Sequence, residues 1–160
     1  RLLGRYYFSV WHAQVLSNLR ETCFNVELLG LCGSRIEDYE LAVWDFFRED
    51  PTVKHLKWHE QRYNFRKAWL NIIRNIAFFR SGKTEVTRDA ITLNGARIVD
   101  LASFYIELGE CLLGERGYAG SDLDGLADFL SCNLNRRLKI IWTNSKTSKQ
   151  HLDRHSYLLE

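Results

Sequence analysis

The sequence predicts an α/β fold in its C-terminal half, with a small parallel sheet flanked by helices, preceded by an α+β accessory region over residues 1–80. Three observations support this. Two short apolar runs, Ile91-Thr-Leu93 and Leu138-Lys-Ile-Ile-Trp142, are separated by two segments of helical apolar spacing. Strand, helix, helix, strand in that order favours parallel strands joined by a helical crossover. Upstream, Phe65, Trp69, Ile72, Ile73, Ile76 and Phe79 recur on one helical stripe. Between these regions lies the polar stretch Ser81-Gly-Lys-Thr-Glu-Val-Thr87, which reads as a linker over 81–87 and leaves 88–160 as a domain of its own.

The elements follow in chain order. Arg5–Val10 and Phe24–Leu29 read as strands, and Tyr39–Arg48 as a helix closed by Asp50-Pro51. Trp58 to Arg80 is a longer helix or helix pair, rich in aromatic residues. After the linker, Ile91–Leu93 is a strand, and Asn94-Gly95 is expected to supply the φ > 0 positions of a tight turn. Asp100 can cap a helix whose Phe104, Leu108 and Leu112 share a stripe, with Gly114 ending it. Tyr118 to Leu130 opens with a glycine-bearing turn and continues as a short amphipathic helix. Its Leu123, Leu126 and Leu130 are expected to face a core.

Composition excludes several classes. The chain has 160 residues, 46% of them hydrophobic, with a single proline, so it is globular rather than disordered. That length holds one ordinary domain or two small ones. Cys23, Cys32, Cys111 and Cys132 are scattered without C-x-x-C spacing, which reads as free thiols in a reducing compartment. No run approaches the ~20 apolar residues of a membrane span, and no signal peptide is evident. The expected location is cytoplasmic. The chain begins at Arg1 rather than Met, and the expectation is that it is a fragment.

Charge is nearly balanced overall but unevenly placed. Residues 100–128 carry seven acids, Asp100, Glu107, Glu110, Glu115, Asp122, Asp124 and Asp128, against Arg116 alone. Residues 136–154 carry six bases, Arg136, Arg137, Lys139, Lys146, Lys149 and Arg154, against Asp153. One reading is two solvated faces; the other is a focused negative field that speeds encounter with a basic protein. Asp124 and Asp128 sit four apart, so they stack on one helix face with Ser121 nearby. Like charges at that spacing destabilise a helix by roughly 0.2–0.5 kcal/mol. Folding does not ask for them. Nucleic acid is a poor partner for that face, since its phosphates would be repelled.

Three pieces in order carry a family resemblance: Ile91-Thr-Leu-Asn-Gly-Ala-Arg-Ile98, then Leu101 to Gly114, then the Tyr-x-Gly-x-x-Leu-Asp-x-Leu-x-Asp pattern of 118–128. Leu138–Trp142 and Ser145–Leu152 extend it. Residues 87–160 thereby resemble the barstar family, bacterial intracellular inhibitors of barnase-type ribonucleases. Val43-Trp-Asp-Phe-Phe and Phe65-Arg-Lys-Ala-Trp-Leu70 resemble the N-terminal extension of longer, actinobacterial barstar-related proteins.

The resemblance implies a non-catalytic protein whose partner is a basic, extracellular-type ribonuclease. It places Asp124 and Asp128 at the ribonuclease-facing positions, with Tyr118 and Gly120 shaping the loop and Ser121 and Asp122 at the rim. A ribonuclease pocket gathers cationic side chains for phosphate, so carboxylates find charge-assisted partners there. The chain departs from the family pattern at Ala119 and Ala127, where many relatives carry aromatic or polar side chains and where the interface is expected to be pared back. Phe129 replaces the usual cysteine and is expected to fill core. Gly125, inside a helix, either admits close backbone approach or reflects drift. The family's last strand, and an acidic contact residue on its final helix, are expected to be missing after Glu160. Asp128→Ala is expected to weaken target binding far more than Asp100→Ala, with the fold intact.

Other sites are weaker. His55-x-x-x-His59 and His151-x-x-x-His155 have metal-compatible spacing but no clear third ligand, so surface histidines are expected and no metal. No G-x-G-x-x-G, Walker A or G-x-S-x-G occurs, and no cofactor or small-molecule substrate is expected. Lys54, Lys57, Arg62, Arg66, Lys67, Arg74 and Arg80 interleave with Trp58, Tyr63, Phe65 and Trp69. Such a mixture can bind single-stranded nucleic acid, although most of these aromatics share the stripe that a core needs. Two alternatives therefore stand beside the inhibitor: a nucleic-acid-binding or regulatory protein using residues 54–80, and a barstar-like module with a non-ribonuclease target.

Overall fold

The computed structural model describes residues 8–20, 23–32, 37–48, 57–79, 85–135 and 137–157. Strands β1 (Phe8–Arg20) and β2 (Cys23–Cys32) form an antiparallel ladder. Helices α1 (Asp38–Arg48) and α2 (Tyr63–Phe79) follow, with a 3₁₀ turn at Trp58–Glu60 before α2. The second half runs β3 (Ala90–Asn94), α3 (Leu101–Leu113), α4 (Leu123–Asn133), β4 (Lys139–Thr143) and α5 (Ser145–Tyr157). β3 and β4 pair in parallel, with Ile91 opposite Ile140 and Leu93 opposite Trp142. The molecule is thus a mixed α/β structure with a small two-stranded parallel sheet flanked by helices. The Asp50-Pro51 stop, Arg5 to Tyr7 and residues 81–84 of the expected linker lie outside the described residues.

Two apolar clusters hold these elements. In the first, Val43 and Phe47 of α1 and Trp69, Ile72, Ile73 and Ile76 of α2 pack with Ala102, Tyr105 and Ile106 of α3. The aromatic stripe of α2 is therefore core, as its period requires. In the second, Ile91 and Leu93 of β3 meet Leu108 and Leu112 of α3, together with Val86 and Ala119. Helix α3 belongs to both clusters. Val86, within the expected linker, is almost wholly buried, and its N–H donates to Asn133 O at 3.1 Å.

Polar contacts tie the helices of 57–79 to α3. Asp100 caps α3 through a reciprocal box with Ser103: the carboxylate accepts from Ser103 N at 2.7 Å, and Ser103 Oγ accepts from Asp100 N at 2.8 Å. The same carboxylate accepts from Arg66 Nε at 2.8 Å and from Arg66 Nη2, both residues being buried. A third bond from Arg66 goes to the Gln61 carbonyl. Trp58 Nε1 donates to Glu110 Oε2 at 3.0 Å.

Two local expectations differ from the structure. Asn94-Gly95 is not a φ > 0 turn. Asn94 (φ −90°) instead caps a 3₁₀ turn over Gly95–Arg97, its side chain accepting from Ala96 N. Gly95 is needed for space: a Cβ there would stand 2.5 Å from the carbonyl oxygens of Thr143 and Asn144, where β4 passes into α5. β4, apolar in sequence, is exposed along its whole length, with Ile140 half-exposed. It pairs on one side only among the described residues, and its Trp142 stacks on Phe104 at 5.7 Å.

Candidate functional site

The loop from Gly114 to Asp122 joins α3 to α4 and carries four of the six expected site residues. Its course is set by close backbone contact. Gly109 of α3 and Gly117 of the loop approach so nearly that a Cβ on either would lie 2.3–2.4 Å from the other's carbonyl oxygen. Gly120 has φ +126°, and a Cβ there would meet Leu126 N at 2.6 Å. The loop is therefore pressed flat on α3 and against the first turn of α4. Tyr118 packs its ring on the helical cluster and brings its hydroxyl to Ser121 Oγ at 3.2 Å. Tyr118 thus packs against the core while it borders the loop.

Asp122 is the N-cap of α4. Its Oδ1 accepts from Gly125 N at 2.7 Å, which satisfies an orphan donor of the first turn and places negative charge at the positive end of the dipole. Gly125 lies against that carboxylate: a Cβ there would stand 3.2 Å from Oδ1, so the Asp122 side chain would have to shift slightly. Asp124 and Asp128 follow on α4, both exposed.

The seven acids of this half divide sharply. Asp100 and Glu107 are buried and satisfied. Glu107 accepts from Asn94 N at 3.1 Å and lies 3.6 Å from Arg97. Glu110 accepts from Trp58 and, at 3.3 Å, from Arg116 N. Its carboxyl is pushed above the ordinary range by burial, against the pull of those two hydrogen bonds. Glu115 pairs with Arg116. Only the carboxylates of Asp124 and Asp128 make no hydrogen bond or ion pair with another described residue, and both face solvent. The acidic tract is thus in large part a structural network, and its outward charge is narrower than the sequence suggests.

Three expectations change here. Leu123 does not face the core; it is 74% exposed, because the first turn of α4 overhangs the second cluster and only Leu126, Phe129 and Leu130 reach it. It borders an open groove of about 590 Å³ with Leu101, Phe104, Tyr105, Trp142 and Leu152, rimmed by Asp122 and Asp124. Ala119 is 1% exposed inside the second cluster, so it fills core and pares nothing from a surface; Ala127 is exposed. Asp100 is a buried cap, so its replacement cannot serve as a neutral control. Phe129 packs on the second cluster.

The basic faces also resolve. Lys139, Lys146, Lys149, Arg137 and Arg154 are exposed, on the segment following α4. In the helices of 57–79, Arg66, Trp58 and Trp69 are buried and Phe65 packs on the core, so three of the four aromatics named for base stacking face inward, while Tyr63 is partly buried and Phe78 is exposed. His59 is half-buried beside Trp58, and burial followed by the nearby Arg97 lowers its pKa. Its proposed partner His55 lies outside the described residues, among which no group of three metal-ligating side chains occurs.

What this arrangement defines is a small α/β unit that presents two carboxylates, unpaired among the described residues, from a capped helix beside a shaped loop. Residues 88–159, a little under half of the chain, match the family model described as Barstar (barnase inhibitor), and this part of the chain is similar to that family. No curated protein and no solved structure gives a significant match to the chain.

Proposed function

We propose that the chain is a cytoplasmic inhibitor of a barnase-type ribonuclease, acting by occlusion and performing no chemistry of its own. Asp124 and Asp128 enter the enzyme's cationic pocket in place of phosphate oxygens, where Arg and Lys give charge-assisted bonds. Asp122, Ser121, Tyr118 and Gly120 supply the rim and the loop shape. The exposed Leu123 and its groove add apolar contact beside the carboxylates.

The carrying observation is the division among the acids. The fold uses Asp100, Glu107 and Glu110 internally and leaves Asp124 and Asp128 on one exposed helix face, unpaired among the described residues. Their mutual repulsion costs the helix a few tenths of a kcal/mol, which a cationic partner would offset. Titrating a barnase-type ribonuclease with the chain tests this reading: stoichiometric loss of RNA cleavage supports it, and undiminished cleavage at excess inhibitor refutes it. The nucleic-acid alternative is disfavoured by the burial of Trp58 and Trp69.

A further inference from the structure

The geometry points to a role for the region preceding the barstar-like domain: Phe47 of α1 and Trp58 ahead of α2 are positioning residues that set the conformation of the partner-facing loop. This inference rests on the reading of residues 114–122 as that loop. The segment holds Arg116, which has φ +59°. That left-handed conformation is unfavourable for any side-chain-bearing residue and persists only where its surroundings impose it.

Two contacts hold it, one made by the N-terminal region and one oriented by it. The Arg116 guanidinium lies 4.1 Å from the centroid of the Phe47 ring, a cation–π arrangement. The Arg116 backbone N–H donates to Glu110 Oε1, while Glu110 Oε2 is held by the Trp58 indole N–H. Trp58 therefore orients the carboxylate that grips the loop backbone, and Phe47 holds the side chain of the same residue from the other end. Tyr118, two positions on, packs on the cluster that contains Phe47. Neither Phe47 nor Trp58 is exposed, so neither can act by touching a partner. On its other flank the loop is fixed by the Gly109–Gly117 contact within the domain itself. Loop geometry is thus shared between the two regions.

The test uses the full chain with three variants and a fourth as control. Phe47→Leu keeps apolar volume and loses the ring face; Trp58→Phe keeps packing and loses the N–H donor; Phe47→Tyr keeps the ring face. Ile72→Val serves as a conservative change in the same apolar cluster that removes neither contact. Amide hydrogen exchange over Gly117–Ser121 is read in the free protein, and the dissociation rate from a barnase-type ribonuclease in the complex. Phe47→Leu and Trp58→Phe should speed loop exchange and dissociation about tenfold, Phe47→Tyr should restore both, and Ile72→Val should leave the loop unchanged. The inference is overturned by loop amides that do not respond to Phe47→Leu and Trp58→Phe, or that respond as strongly to Ile72→Val. Absence of ribonuclease binding by the wild type would refute the functional reading alone, since the exchange measurement decides the positioning role without a partner.

Discussion

Arg66 and Asp100 form a buried ion pair across 34 positions, joining the first turns of α2 and α3 through the carboxylate that also caps α3. One aspartate thereby closes a helix end and locks two regions of the chain together. Removing either partner leaves the other as an uncompensated buried charge.

Asp100→Ala and Arg66→Ala are accordingly expected to destabilise the protein by about 3–5 kcal/mol each. The double variant should lose much less than the sum, because neither charge is then stranded. Urea denaturation of the three variants measures this, and additive losses would contradict the coupling.

Asp124→Ala and Asp128→Ala should leave stability within about 0.5 kcal/mol of wild type. Removing one member of a like-charged pair relieves repulsion on α4, although Asp124 gives up some helix-dipole stabilisation near the N-terminus. A loss above about 1 kcal/mol in the same denaturation experiment would show that these carboxylates serve the fold.

Glu110 predicts a pH dependence. Its carboxyl is raised in the folded state, chiefly by burial. The folded protein therefore holds this proton more tightly than the unfolded chain. The resulting penalty is absent below the ordinary carboxylate range, grows as pH rises through the interval between unfolded and folded pKa, and is complete above the folded value. Glu110→Gln should flatten this part of the profile, while losing one of the two accepted hydrogen bonds at every pH because its NH2 cannot accept. Thermal melts of both proteins at pH 4 and pH 7 decide it: the variant's deficit relative to wild type should be smaller at pH 7 than at pH 4, and an equal deficit at both values would contradict the assignment.

Gly120→Ala should cost about 1–3 kcal/mol, since the new side chain meets the backbone of Leu126 at a left-handed φ. Binding should fall further than stability, because the loop beside Asp124 must shift. A variant with unchanged melting temperature and unchanged affinity would show the loop to be adaptable.

The sequence made the regular elements legible where period and caps agree. Trp69, Ile72, Ile73 and Ile76 declared the buried face of α2, and Asp100 and Gly114 bracketed α3. It was less informative where a residue's role depends on a distant neighbour. The cap role of Asp100 was legible locally, but nothing local told that Arg66 holds it in the interior while Asp128 stays exposed on a short helix. Arg66 offered the one signal, a charge between Phe65 and Trp69 on an apolar stripe, which implies a buried partner elsewhere. Leu123 carried the right spacing for a core position yet overhangs it, because period alone does not tell how far a core extends. Gly95 looked like a turn residue and proved to be a contact residue, its constraint coming from Thr143 and Asn144.

The central claim is that two exposed carboxylates on α4 block a cationic ribonuclease site. Its most direct test is titration of a barnase-type ribonuclease with wild type and Asp128→Ala side by side, at low and high salt. The account predicts stoichiometric inhibition by wild type and affinity weakened by about two orders of magnitude or more in the variant, as expected when a desolvated charge pair worth about 3 kcal/mol or more is broken. The variant should also show a shallower salt dependence. Equal inhibition by both proteins would contradict the assignment of the binding face, and no inhibition by either would contradict the function.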